Sequence, residues 1–178
     1  MIACFRRGRV AAVSALLGLC LAACSSSDGN SEPLRILVSN DDGVAAEGID
    51  ALVRGLLANP NNVLVVSAPL ENASGAGDQM IGDEIGQDCI EGTGMAMPAS
   101  TASGYETDVW AVDGCPVDAV LYGLENLYPD EPPHVVITGL NEGQNVGLVG
   151  ERGLVSQISG TVGGAKAGAC SGVPAVAS

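Results

Sequence analysis

The 178-residue sequence has few aromatic residues, few positive charges and a single histidine. Aromatic side chains make up 3% of the chain, so its core has to be aliphatic. There are 7 basic residues against 21 acidic ones, which gives a net charge of -14. This balance argues against binding of a nucleic-acid polymer or an anionic membrane surface by the folded part of the chain. It also means that any phosphate site needs a local cation.

The sequence also lacks an apolar run long enough to span a bilayer comfortably. Its N-terminal run, Val10–Leu21, is short and follows three arginines, which is typical of a secretory signal. The letters LAAC at residues 21–24 resemble a bacterial lipobox, so we expect cleavage before Cys24 and lipidation of its sulfur. The alternatives are ordinary signal cleavage and an uncleaved anchor. We therefore predict a lipoprotein signal peptide at residues 1–24 and a flexible polar tether at residues 25–33.

Lipidation would anchor the exported chain to a membrane, facing the periplasm or the cell surface. Export places the folded part in an oxidising compartment. The cysteines that remain there are Cys89, Cys115 and Cys170. Their odd number predicts one disulfide and one thiol, or a partner that is missing.

Short aliphatic runs alternate with helical patterns after the tether. Ile36–Val38 and Val63–Ser67 read as buried parallel strands, and the apolar spacing of Glu47–Asn59 predicts a helix between them. Strand, helix and strand in this order form a right-handed βαβ unit. The loop after the first strand lacks GxGxxG, so a dinucleotide fingerprint is absent. Later patterns predict three more strands, two more helices and a region of loops or irregular hairpins: strands 107–112, 134–139 and 173–178, helices 116–127 and 159–170, loops 78–104.

Small polar and acidic residues follow the first predicted strand, at Asn40–Gly43. In open α/β sheets, ligands bind beyond the carboxyl ends of the strands. The adjacent carboxylates of Asp41 and Asp42 repel each other unless a cation lies between them, and their oxygens suit magnesium, manganese or calcium. A solvated turn is the alternative. The helix that begins at Ser159-Gly160-Thr161 offers an anion site, or simply a cap provided by Ser159.

Four segments in order, ILVSNDDGV, VSAPLENASGAG, VITGLNEGQNVG and ISGTVGGA, resemble the SurE survival-protein family of metal-dependent 5′/3′-nucleotidases. DGCPVDAV and the closing GVPAVAS fit that family too. The resemblance covers about residues 34–178 and implies a Rossmann-like α/β domain with helices on both faces of a mostly parallel sheet. It implies one divalent metal, magnesium or manganese, and a homodimer or tetramer.

The resemblance also assigns roles to individual residues. The implied metal ligands are Asp41, Asp42, Ser74 and Asn141. The implied substrate-binding residues are Asn40, Gly75, Asn145, Ser159, Gly160 and Thr161. Asp41, Asp42 and Asn145 are the predicted catalytic residues. All of these residues offer oxygen atoms or N–H groups, and none is a cysteine or histidine, which disfavours zinc. Water is the predicted nucleophile, because the DxDxT pattern of aspartyl-phosphate enzymes is absent.

The chain departs from the family pattern in three places and in length. It has Glu47 where a proline is usual, Ile158 where a tyrosine is frequent, and Lys166-Ala167 where an acid is frequent. These differences bear on substrate preference more than on metal binding. The family continues well past the position of Ser178, so we expect the α/β domain to be incomplete.

The leading hypothesis is a lipoprotein that hydrolyses nucleoside 5′/3′-monophosphates to nucleoside and phosphate with a divalent metal. The alternatives are a non-catalytic module that binds metal and phosphate, an inactive fragment, and hydrolysis of a different ester on the same scaffold. His134 is predicted to be structural, because it lies at the start of a strand, opposite the predicted site.

Overall fold

The computed structural model describes residues 32–105, 107–128, 130–148 and 154–178. The predicted signal peptide, the lipidation site Cys24 and most of the tether therefore lie outside the described residues. Within the described part, no helix is both long and apolar enough to cross a bilayer. The strands of that part are β1 Leu34–Ser39, β2 Asn62–Pro69, β3 Ala96–Pro98, β4 Asp108–Val112, β5 Val135–Thr138 and β6 Ala175–Ala177. Its α-helices are α1 Glu47–Leu57, α2 Pro116–Asn126 and α3 Gly160–Cys170, with 3-10 helices at Asp88–Glu91 and Val155–Gln157.

The strands form one sheet in the order β3-β4-β2-β1-β5-β6. All neighbouring pairs are parallel except β3 and β4, which are antiparallel. β1 lies between β2 and β5, and Ser39 at its end pairs with Thr138 at the end of β5. The carboxyl ends of the central strands therefore meet at one edge of the sheet. The predicted α/β fold with a mostly parallel sheet is confirmed.

Helices cover both faces of the sheet because successive residues of a strand point to opposite sides. Ile36 and Val38 of β1 pack with Ile49 and Val53 of α1 in one aliphatic cluster. Leu37, between them in sequence, packs in a second cluster with residues of α2 and α3: Val117, Val120 and Ala167. As the scarcity of aromatic residues predicted, both clusters are built mainly from branched aliphatic side chains.

Helix α3 is rich in glycine because it runs close to other backbone segments. A Cβ on Gly163 would lie 1.7 Å from the carbonyl oxygen of Gly77. A Cβ on Gly168 would lie 2.9 Å from a methyl group of Val136 in β5. The absence of side chains thus brings α3 against the loop after β2 and against the sheet. This packing fixes where the helix begins, and the helix start is part of the site described below.

The weakly patterned region 78–104 contains the 3-10 helix Asp88–Glu91 and the short antiparallel strand β3, in keeping with the predicted irregular hairpins. A disulfide joins Cys89 in this region to Cys115, which precedes α2. Asp118 of α2 adds a second anchor, because its carboxylate accepts hydrogen bonds from the backbone N–H groups of Ile81 and Cys115, each at 3.0 Å. The structure thus contains a disulfide between two of the three cysteines considered above. Cys170 is disulfide-bonded as well, so the prediction of one disulfide and one free thiol is wrong.

Candidate functional site

The turn after β1 is shaped by Asn40, which is fully buried. Its side-chain nitrogen donates to the carbonyl oxygen of Gly43 at 2.9 Å, which closes the turn over Asp41 and Asp42. Gly43 has a φ of 102°, a conformation that favours glycine. Asn40 was predicted to bind substrate; in the structure its side chain supports the turn, and it is not among the residues that line the pocket described below.

Asp41 is 2% exposed, and its side chain lies against the N-terminus of α3. Its Oδ1 accepts a hydrogen bond from Thr161 Oγ1 at 2.5 Å, and the Thr161 backbone N–H donates to the same carboxylate. Burial raises the pKa of Asp41; the hydrogen bonds from Thr161 oppose this, and the charge of Asp42 adds to it. Asp41 therefore occupies the anion position that the N-terminus of a helix provides.

The contact between Asp41 and α3 depends on Gly160. A Cβ at this position would lie 2.7 Å from the Cβ of Asp41 and 2.9 Å from Cγ of Pro116. Thr161 was predicted to contact phosphate, but its hydroxyl and its backbone N–H both donate to Asp41. In this structure Thr161 therefore holds Asp41 in place, and its contact with phosphate stays a prediction.

Asp42 connects the turn after β1 to two further segments. Its Oδ1 accepts a hydrogen bond from Ser74 Oγ at 3.3 Å, and its Oδ2 accepts one from the backbone N–H of Glu142 at 2.9 Å. Ser74 itself is held by a hydrogen bond from its backbone N–H to Asn72 Oδ1 at 2.8 Å. The segments after β1, β2 and β5 thus converge on one carboxylate.

A second hydrogen-bonded pair joins the segment after β5 to the start of α3. Ser159 Oγ donates to Asn145 Oδ1 at 2.6 Å and accepts from the backbone N–H of Val162 at 3.1 Å. Ser159 is therefore the N-cap of α3, as its alternative assignment predicted. Because Oδ1 of Asn145 is engaged, the amide nitrogen of this residue remains as a donor for a ligand.

These segments enclose a pocket of about 180 Å³. Five residues of the predicted site line it: Asp41, Ser74, Gly75, Asn141 and Ser159. Of the other five predicted residues, Asn40 closes the turn, and four are joined to lining residues by the contacts given above: Asp42, Asn145, Gly160 and Thr161. Five further residues line the pocket and were not predicted: Glu142, Gly143, Gln144, Val155 and Ile158. Glu142, Gly143 and Gln144 lie in the VITGLNEGQNVG segment but had no assigned role, and Ile158 was noted only as a departure from the family pattern.

The donor chemistry of the pocket fits a hard divalent cation. Two carboxylates, the Ser74 hydroxyl and the Asn141 amide supply oxygen ligands, which magnesium and manganese prefer. Among the described residues, no three or more His, Cys, Asp or Glu side chains are grouped so that they could hold a metal ion together. A cation held here would thus have two carboxylates and neutral oxygens as protein ligands, and magnesium usually keeps several waters in such sites. Ser39 Oγ and Asn40 Oδ1 beneath the turn are buried, and the described residues offer them no partner.

His134 lies at the opposite end of the sheet from the pocket, where β5 begins. Its Nδ1 accepts a hydrogen bond from the backbone N–H of Arg35 at 3.0 Å. Its own backbone N–H donates to the carbonyl oxygen of Arg35 at 2.9 Å. These bonds extend the pairing of β1 and β5, so the structural role predicted for His134 is the one that the geometry supports.

The mostly parallel sheet with helices on both faces defines a Rossmann-like α/β protein. Its paired aspartates at a strand end lie against a Ser-Gly-Thr helix start, which gives an oxygen-lined site suited to a cation and an anion. Comparison with known proteins narrows this class. Residues 36–178 match the family described as Survival protein SurE. The chain belongs to the SurE family, as its motifs predicted.

Individual relatives agree with this assignment. The chain is 38% identical over 148 residues to a protein named 5'-nucleotidase SurE from Pelotomaculum thermopropionicum, which covers 81% of this chain and 49% of that protein. It is 42% identical over 142 residues to a 5'-nucleotidase SurE from Halobacterium salinarum, with 80% and 45% covered. The crystal structure of a SurE protein from Aquifex aeolicus matches with a TM-score of 0.61 and 31% identity, over 80% of this chain and 49% of that one. The chain thus spans about half the length of the curated relatives it matches.

Proposed function

We propose that this protein is a divalent-metal-dependent phosphatase that hydrolyses nucleoside 5′- or 3′-monophosphates to nucleoside and phosphate. The observation that carries the proposal is that Asp41, Ser74 and Asn141, from three separate segments, line one pocket together with Ser159. The names of the relatives, 5'-nucleotidase SurE, support the reaction type.

In this proposal, the metal is bound by the ligands that the sequence predicted. Asp41 is held by Thr161, and Asp42 is held by Ser74 and the backbone of Glu142. Together with Ser74 and Asn141, these carboxylates would hold magnesium or manganese. A divalent cation bound there supplies positive charge for the phosphoryl oxygens and lowers the pKa of a bound water. It also removes the repulsion between the two adjacent carboxylates.

In this proposal, the phosphate is bound by Asn145 and by backbone N–H groups at the start of α3. Asn145 presents its amide nitrogen to a phosphoryl oxygen because Ser159 holds the amide oxygen. The backbone N–H of Gly160, at the positive end of α3, and the loop of Gly75 provide further donors. In the reaction, a water oxygen forms a bond to phosphorus, the ester bond to the nucleoside oxygen breaks, and that oxygen takes up a proton. Donors aligned in advance stabilise the charge that develops on the phosphoryl oxygens.

The test is phosphate release by the full chain from a panel of nucleoside 5′- and 3′-monophosphates. Magnesium, manganese or EDTA is present in parallel reactions, and Asp41→Asn is compared with Asp108→Asn, which lies at the start of β4 away from the pocket. We expect metal-dependent release that Asp41→Asn abolishes and Asp108→Asn leaves within about twofold. Absence of release from the folded chain, with metal-dependent phosphate binding retained, would instead identify a binding module.

We further propose that the chain is exported and anchored through lipid on Cys24. The basic start, the short apolar run and the LAAC sequence support this. The test is incorporation of labelled palmitate into the full chain expressed in a bacterium, with Cys24→Ala for comparison. Label in the unaltered chain but not in the variant is the expected result, and label in neither contradicts the proposal.

A further inference from the structure

We propose that Val155 and Ile158 form a wall that contacts the leaving group of the ester substrate, so that the site prefers phosphate esters of nucleosides over phosphate esters of small polyols. This inference rests on the proposed phosphatase function and adds the part of the substrate that the phosphate and metal residues do not select. The two side chains that form the wall are the only aliphatic ones among the described residues that line the pocket.

The wall adjoins the phosphate-binding side directly. Ile158 precedes Ser159 in the chain, and both residues line the same pocket as Asp41. A phosphoryl group bound by the amide nitrogen of Asn145 and the Gly160 N–H would lie at the helix start that Ile158 precedes, so its ester oxygen and leaving group come within reach of Ile158. Ile158 is 46% exposed, so it has apolar surface that a ligand can cover.

The backbone of the wall is fixed before any ligand binds. The carbonyl oxygen of Ile158 accepts from the N–H of Gly77 at 3.0 Å, and its N–H donates to Val155 at 2.9 Å. Val155 in turn donates its N–H to Gly147 at 3.0 Å and accepts from the N–H of Ser159 at 2.9 Å. A surface held on both sides in this way loses little freedom on binding, which favours a specific contact.

The remaining lining residues indicate what kind of leaving group fits. Glu142 also lines the pocket, so a second phosphate group on the leaving side meets a residue of like charge. A nucleoside has no charge there and offers apolar ring and sugar surface to the wall, whereas glycerol offers mainly hydroxyl groups. Contact with Ile158 thus discriminates between the two esters through burial of apolar area.

The experiment measures kcat/KM for adenosine monophosphate and for glycerol phosphate in the full chain with manganese or magnesium. Ile158→Asn has a polar side chain of similar length, Ile158→Leu keeps the apolar surface, and Val63→Thr changes an exposed apolar residue at the far end of the sheet. We expect Ile158→Asn to lower the ratio of the two kcat/KM values by about 5- to 10-fold. Ile158→Leu and Val63→Thr should leave that ratio within about twofold.

The outcomes separate the inference from the function on which it rests. Equal loss with both esters in Ile158→Asn would mean that Ile158 only supports the helix start, and it overturns the inference. Hydrolysis with an unchanged ratio also overturns it and leaves the phosphatase proposal standing. Hydrolysis of no ester by the unaltered chain overturns both.

The unaltered chain gives an independent test, should Ile158→Asn not fold. Adenosine should inhibit hydrolysis competitively, and glycerol at the same concentration should not. Absence of inhibition by adenosine overturns the inference.

Discussion

Gly160 is the residue at which packing and the candidate site depend most directly on each other. A Cβ there would lie 2.7 Å from Asp41 Cβ and 2.9 Å from Pro116 Cγ, closer than real contacts allow. We therefore expect Gly160→Ala to lower the free energy of unfolding by about 1–3 kcal/mol, because Asp41 or α3 has to shift. Urea unfolding followed by circular dichroism measures the change.

The matched control is Gly55→Ala in α1, where a Cβ would meet nothing within 4 Å. This substitution should raise stability by about 0.5–1 kcal/mol, since alanine loses less backbone freedom than glycine in a helix. Equal effects of the two substitutions would show that Gly160 is not required for close packing.

Asp50 of α1 gives the fold a pH dependence that is independent of the pocket. Its carboxylate accepts hydrogen bonds from the Ser103 hydroxyl and backbone N–H, each at 2.7 Å, and these bonds lower the pKa of Asp50. A carboxyl whose pKa is lower in the folded state stabilises the fold above its unfolded value, and this contribution is lost as pH falls through the folded pKa.

Ser103→Ala should therefore destabilise the protein at pH 7 and have a progressively smaller effect as the pH falls below 3.8, the ordinary pKa of aspartic acid. Urea unfolding of the unaltered chain and the variant across that range measures the difference. Ser100→Ala, in the same loop, is the control. A Ser103→Ala effect that stayed constant with pH would mean that the hydroxyl does not act on the Asp50 charge.

Residue types and their places at strand ends could be predicted from the sequence, but their partners could not. The turn Asn40–Gly43 and the start of α3 were both recognised by their composition. That Thr161 donates to Asp41, a residue 120 positions away, depends on how closely α3 approaches β1. That approach is set by the glycines of α3, whose spacing alone does not tell which backbone they meet.

At the scale of elements, the disulfide Cys89–Cys115 ties the weakly patterned region to the start of α2. The bond encloses a loop with a sequence separation of 26, and it restricts the unfolded chain. Replacing both residues by alanine should lower the free energy of unfolding by about 2–4 kcal/mol. Urea unfolding of this double variant measures the change, and a loss below about 1 kcal/mol would show that other contacts, such as those of Asp118, hold the region alone.

Elements with clear periodicity matched their predicted positions to within a few residues, because hydrophobic spacing and turn residues act locally. Region 78–104 was different. Strand β3 has only the three residues Ala96–Pro98, and it exists because β4 offers an antiparallel partner. The three cysteines allow three pairings among themselves, and only the folded positions of Cys89 and Cys115 select that pair. The count of three also did not reveal that Cys170 is bonded as well.

At the scale of the whole molecule, the excess negative charge lowers stability, and a cation bound at the pocket would offset part of that effect. The chain has a net charge of -14, so its acidic side chains repel one another in the folded state, and any salt reduces that repulsion by screening. Paired carboxylates in the pocket add a local repulsion that screening relieves only in part, because Asp41 is buried. A cation bound at the pocket should therefore stabilise the fold beyond the effect of ionic strength.

We accordingly expect magnesium or manganese to raise Tm in a saturable way above the value in sodium chloride of equal ionic strength. At a metal concentration of 100 times Kd, linkage supplies about 2.7 kcal/mol, and each kcal/mol shifts Tm by about 2–4 °C in a chain of this size. Differential scanning calorimetry of the unaltered chain and of Asp42→Asn measures both effects. The variant should keep the shift caused by sodium chloride and lose the additional shift. Equal shifts in both proteins would mean that divalent ions only screen the acidic surface, and the assignment of Asp42 as a metal ligand would then be wrong.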